Sequence, residues 1–145
     1  MSTTYLALAT AEILMDPASD ELLLRQITEP LMTDGKPSSQ AFGPSTSDKG
    51  APSFSRRTKT TPTKSRAWHD ANAAKPSLGV WACSTSEVDD AGTRSVDDSG
   101  VPAAPGTKKA PGHCYVDYRH MAKSEERLVR SLLLAKALDR QELNS

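Results

Sequence analysis

Large apolar residues fall in short runs separated by long polar stretches, and each run carries its own period. "ELLLRQI" at 21–27 is short, apolar and bounded by Asp20 and Pro30, which predicts a buried strand rather than a helix. Alternation sends Leu22, Leu24 and Gln26 to one face of that strand and Leu23, Arg25 and Ile27 to the other. "LGVWACST" at 78–85 alternates Val80 and Ala82 with Trp81 and Cys83, a second strand over about 79–85. "HCYVDY" at 113–118 sets Cys114, Val116 and Tyr118 against His113, Tyr115 and Asp117, a third strand.

Two helices follow from caps and period. Thr61 as N-cap and Pro62 at the first helical position open one over 62–74, with Ala67, Ala71 and Ala74 on one face and Trp68 beside them. Ser124 caps another over 124–141, with Glu125 and Glu126 in its first turn and Arg140 near its end, as the helix dipole favours. Its leucines (Leu128, Leu132, Leu133, Leu134, Leu138) cover more than one stripe, so this helix is expected either deep in the core or against a partner protein or a second copy. Residues 3–15 place Leu6, Ala9 and Ile13 at helical spacing and stop at Asp16-Pro17, while Leu6 and Leu8 also alternate as in a strand.

Short strands joined by helices or long connections need a covering layer. The fold class expected is therefore α/β or α+β: a small mixed sheet of about three or more strands covered by two or three helices, with long polar loops. Two segments resist assignment. Residues 43–60 contain one large apolar group, Phe54, and residues 89–112 are acidic and then rich in proline and glycine; both are expected as flexible loops within a single small domain, 1–145.

Composition tempers the size of the core. Apolar residues make up 37% of the 145, below the usual ~45–50% that also counts glycine. Net charge is zero, which gives no overall pull toward nucleic acid or an anionic surface. The charge is nonetheless uneven, at −4 over 1–43, +5 over 44–75 and −4 over 76–107. The basic stretch "FSRRTKTTPTKSR" offers Arg56, Arg57, Lys59, Lys64 and Arg66 for phosphate or nucleic-acid contact, against a bland role neutralising the acidic segments. Cys83 and Cys114 form no CxxC pair, and the opening "MSTTYLALATAEILMD" lacks a basic n-region. No run approaches the 18 apolar residues of a membrane helix. A cytoplasmic setting with reduced thiols, and no membrane, is the expectation.

Four stretches taken together, "LLLRQI" at 22–27, "DGKPSSQAF" at 34–42, "GVWACSTSE" at 79–87 and "HCYVD" at 113–117, resemble a group of small bacterial proteins of uncharacterised activity. The resemblance covers roughly residues 20–118 and implies an organisation rather than a chemistry. It also implies that "DGKPSSQAF" is a shaped loop and not a passive linker.

The candidate ligand-binding residues are Arg25, Ser38, Ser39, Gln40, His113 and Asp117. Arg25 faces an apolar side of its strand and needs an anionic partner, for which Asp117 or a bound anion is the natural choice. The turn at Ser38-Ser39-Gln40 presents two hydroxyls, an amide and backbone N–H groups suited to phosphate or carboxylate. His113 and Asp117 lie about 13 Å apart along one strand, too far to act as a dyad. His69, Cys83, His113, Cys114 and His120 lack the spacing of a metal site, and no cofactor is expected. Serines and histidines are present, but no GxSxG elbow marks a nucleophilic triad. Two classes of function remain. The first is an accessory or binding module contacting a partner protein or an anionic ligand. The alternative is a small enzyme acting on a nucleotide or phosphate-bearing substrate, ADP-ribosyltransferase-like by analogy through the order Arg25, Ser39, Glu87.

Overall fold

The computed structural model describes residues 4–144, so Thr3, where the expected N-terminal element begins, lies outside them. The described residues form eight strands and three α-helices: β1 (Ile13–Leu14), β2 (Leu22–Ile27), β3 (Met32–Thr33), β4 (Lys36–Pro37), β5 (Ser53–Arg56), α1 (Pro62–Asn72), β6 (Gly79–Ser84), α2 (Thr85–Asp90), β7 (Ser95–Asp97), β8 (His113–Val116) and α3 (Lys123–Arg140). Six strands form one sheet in the order β1-β7-β8-β5-β2-β6. Every pairing in it is antiparallel, which places the fold on the α+β side of the two expected classes. The three strands read from the sequence are β2, β6 and β8, and they share this sheet.

Register fixes two faces. Leu23, Arg25 and Ile27 stand level with Cys83, Trp81 and Gly79, and across β5 and β8 that face continues as Phe54 and Cys114. α2 and α3 cover it with Val88, Val129, Leu133 and Ala137 to make the main core. On the second face Leu24, Val80 and Ala82 form a smaller cluster beside α1. Toward β5 and β8 this second face turns polar: Ser55 is level with His113, and Ser53 with Tyr115.

The hairpin β3–β4 turns on Asp34 and Gly35, both left-handed (φ 53° and 76°), the backbone of a two-residue type I′ turn. Beyond it, two consecutive turns carry Ser38 to Gly43, with Ala41, Phe42 and Gly43 buried. Arg25 donates from Nε to the Ala41 carbonyl at 2.9 Å, from Nη2 to Gly43 at 3.4 Å and from Nη1 to Ser53 at 2.8 Å. Tyr118 adds a bond from its hydroxyl to the Phe42 carbonyl at 2.9 Å. The loop is therefore shaped, and Arg25 is the residue that clamps it.

Several expectations are corrected. Residues 43–60 contribute β5, a central strand, because Phe54 faces the core while neighbours on both sides complete its ladder. Residues 89–112 contribute β7. Over residues 4–12 there is no helix: Leu6 and Ile13 are exposed, so a helical stripe would have nothing to bury against. That segment is instead tied down by Arg94, which donates to the Leu6 carbonyl and lies over the Tyr5 ring. α3 begins at Lys123, one residue before its expected start, and its N-cap is Ala122 rather than Ser124, with Glu125 bonding the cap N–H. Leu133 is fully buried with Val129 and Ala137, whereas Leu128 and Leu132 are 60% and 43% exposed. On α1 the alanines face out, and Ser65 turns inward through a 2.9 Å bond from the Gln26 amide. No helix among the described residues is long and apolar enough to cross a membrane.

Candidate functional site

The polar part of the second face underlies a cleft of about 340 Å³. β5 and β8 supply its floor, α1 one wall through Trp68, and the segment before β8 the other through Lys108 and Lys109. Three adjacent strands place the floor residues by register alone. Because Ser55 pairs with His113, Ser53 is the diagonal neighbour of His113 on the same face, a separation that a long ring can bridge. Because Asp97 pairs with Cys114 on the opposite face, the next residue, Asp98, returns to the face of His113.

The side chains use that placement. Asp98 Oδ1 lies 2.5 Å from His113 Nδ1, and His113 Nε2 lies 3.0 Å from Ser53 Oγ. With Nδ1–H donated to the carboxylate, Nε2 is left as the acceptor for the Ser53 hydroxyl. Asp98 is itself held: Lys109 Nζ bonds the Asp98 and Val101 carbonyls and sits 3.7 Å from the Asp98 carboxylate. Asp98 and His113 are mostly covered, at 16% and 18% side-chain exposure, while Ser53 is exposed at the cleft. A hydroxyl, an imidazole and a carboxylate thus stand in series, the order in which a proton is drawn from a nucleophile.

Of the residues singled out from the sequence, His113 and Arg25 line this cleft. Gln40 lines a neighbouring cleft that Arg25 also borders, and Ser39 and Gln40 are exposed on their turn. Asp117 is elsewhere. Its fully buried carboxylate accepts from Arg94 Nε at 2.9 Å and from Arg119 Nε and Nη2 at 2.9 and 3.0 Å. Burial pushes its pKa up, but the bonds from Arg119 and Arg94 outweigh that and hold it below the usual carboxylate range. The expected pair between Arg25 and Asp117 does not form. Three carbonyl dipoles and the Phe54 ring, 5.2 Å from the guanidinium, satisfy Arg25 instead.

Other candidates are committed to the fold. Arg56 makes a two-pronged pair with Glu21 and a 2.7 Å bond to Asp97, so it is not a free arm residue; Arg57, Lys59, Lys64 and Arg66 are exposed. Glu87 caps α2 at the Ser84 N–H and pairs with Arg140 through both oxygens, so both are engaged by the fold. Burial pushes the Cys83 thiol up to about 12 and raises Cys114 as well, so both stay protonated and unreactive at neutral pH. No cluster of three or more His, Cys, Asp or Glu suited to a metal ion occurs among the described residues.

Ser53, Asp98, Trp68, Lys108 and Lys109 were not among the site residues named from the sequence. Ser53 carried one usable signal, the alternation of "SFSR", which becomes a strand once Phe54 is taken as an inward residue. Asp98 carried none, since only the pairing of β7 with β8 brings it beside His113. No protein-family model matches the chain, and no curated protein or solved structure is significantly similar to it. What the cleft does therefore rests on its own chemistry.

Proposed function

We propose that the chain is a small-ligand-binding domain whose cleft between α1, β5 and β8 takes an anionic ligand bearing a carboxylate or phosphate. The observation that carries this reading is the convergence of Lys108 and Lys109 with Ser53, Ser55 and His113 opposite the Trp68 ring in one cavity. Such a mixture of a few directed polar groups and an aromatic wall is typical of small-molecule sites. Lys108 and Lys109 against the single carboxylate of Asp98 make the local field positive, which attracts an anion and repels a cation. Lys108 is exposed at the mouth, where an ammonium can follow a ligand without breaking a structural bond.

Thermal denaturation with inorganic phosphate, pyrophosphate, nucleotides and dicarboxylates tests the reading. A ligand at a hundredfold excess over its Kd adds about 2.7 kcal/mol to stability, a rise of several degrees. Lys108→Ala is expected to reduce that rise without lowering the melting temperature of the free protein. If no anion shifts the wild-type transition at millimolar concentration, the cleft is not an anion site.

A further inference from the structure

We infer that Ser53 is a catalytic nucleophile and that the cleft hydrolyses esters whose acyl or leaving group carries a negative charge. The inference deepens the binding reading and rests on it for the charge of the substrate, but not for the chemistry at Ser53.

The chemistry rests on four observations. First, the Ser53–His113 distance of 3.0 Å lies within the range in which a general base takes a proton. Second, the base is oriented: Asp98 binds the other ring nitrogen, so the lone pair of Nε2 is directed at the hydroxyl. Third, the orienting carboxylate is fixed in turn by Lys109, whose bonds to the Asp98 and Val101 carbonyls close the turn after β7. Fourth, the nucleophile opens into a cavity large enough for a small ester, and it is exposed while the base and carboxylate are mostly covered. A serine–histidine pair on a sheet surface arises readily from pairing. A third group on the correct nitrogen, itself held in place and facing a cavity, is the arrangement that activation requires. The intrinsically stronger nucleophiles, Cys83 and Cys114, are buried on or beside the opposite face and take no part.

In the reaction Ser53 Oγ attacks the ester carbonyl carbon and forms a C–O bond as its proton passes to His113 Nε2. The carbonyl oxygen becomes an oxyanion. Ser55, two residues along β5 and therefore on the same face, and Lys108 at the mouth are the groups placed to receive that charge. Collapse breaks the bond to the alcohol, which leaves with the proton from His113. Water then attacks the acyl-Ser53 ester, giving its proton to His113, and the acid departs as Ser53 Oγ recovers that proton. One ester and one water yield one acid and one alcohol, with no other reactant.

The test is covalent labelling of the full chain with a fluorophosphonate, read by intact mass and peptide mapping. Attack by Ser53 forms an O–P bond and expels fluoride, and one adduct per chain mapping to Ser53 is expected. Ser53→Ala is expected to abolish it, and Asp98→Asn to slow it by roughly 10²–10⁴-fold, the range a general base and its orienting group supply. Ser131→Ala, on the exposed side of α3, serves as a labelling control and is expected to match the wild type. The same preparations are assayed with 4-nitrophenyl acetate and with the 4-nitrophenyl monoester of succinic acid. Faster release from the charged ester supports the substrate class, and Lys108→Ala should erase the preference. A folded wild-type chain that gains no adduct at millimolar probe, or an adduct that maps away from Ser53, overturns the proposal. Because the adduct is mapped on the wild type, that outcome does not depend on whether any variant folds. Absence of the adduct with an intact phosphate-induced thermal shift would leave the binding reading standing and remove the catalytic one. An adduct without any anion-induced shift would do the reverse.

Discussion

The two faces of the sheet are built from alternate residues of the same strands, yet they answer to different demands. On the face under α2 and α3, Leu23, Ile27, Phe54, Cys83 and Cys114 are buried together, and the charged groups beside them are held by the protein: Arg25 by three carbonyls, Arg56 by Glu21 and Asp97. On the other face, the neighbours of those residues are Ser53, Ser55 and His113, which end at an open cleft. A shift of one residue along β5 separates Phe54, which holds the fold, from Ser53, which faces the cleft. The difference teaches where charge is structural. A half-buried guanidinium ringed by protein acceptors is a clamp, whereas an ammonium exposed at the mouth of a cleft is available to an incoming anion.

Substitutions can break or sharpen this division. The largest effect is expected on the covered face, where Leu133→Ala should cost about 2–5 kcal/mol by leaving a cavity against β6. Leu128→Ala, one turn and a little earlier on the same helix, should stay within about 0.5 kcal/mol because its side chain is exposed. Equal losses at the two positions, measured by urea denaturation of a monomeric sample, would mean that α3 buries both of its leucine stripes. Arg25→Lys comes next. A single ammonium cannot span carbonyls on Ala41, Gly43 and Ser53, and losing one bond to a charged donor should cost about 1.5–3 kcal/mol. Stability unchanged in that variant would show that the Ala41–Gly43 loop is held by Tyr118 and Phe42 alone.

Much of the framework was legible in the residues. The strands at 21–27, 79–85 and 113–118 were readable because each alternates large apolar groups over a bounded run, and Thr61-Pro62 marked the start of α1 with its cap bond. β5 and β7 were not readable, since each carries one large apolar residue and owes its stability to ladders on both sides, which are properties of the sheet and not of the segment. The site shows the same limit. His113 could be picked out as a polar residue on a half-buried strand, but its partners Ser53 and Asp98 are 60 and 15 residues away and meet it only through register. Arg25 was read as a charge among apolar neighbours that needs an anionic partner, and the partner it meets is not anionic. That backbone carbonyls would take that place could not be seen, because any turn can aim carbonyls and none is written in side chains.

The division between a structural and a chemical face is tested most directly by one variant carrying two readouts. Ser53→Ala, followed by melting temperature and by fluorophosphonate adduct in the same sample, removes the hydroxyl at an exposed position of β5 while sparing Phe54 beside it. The division predicts a transition within about 1 °C of the wild type, as for other surface substitutions, together with complete loss of the adduct. A drop of several degrees would make Ser53 part of the scaffold, and an adduct that survives would place the reactive group elsewhere; either result contradicts it.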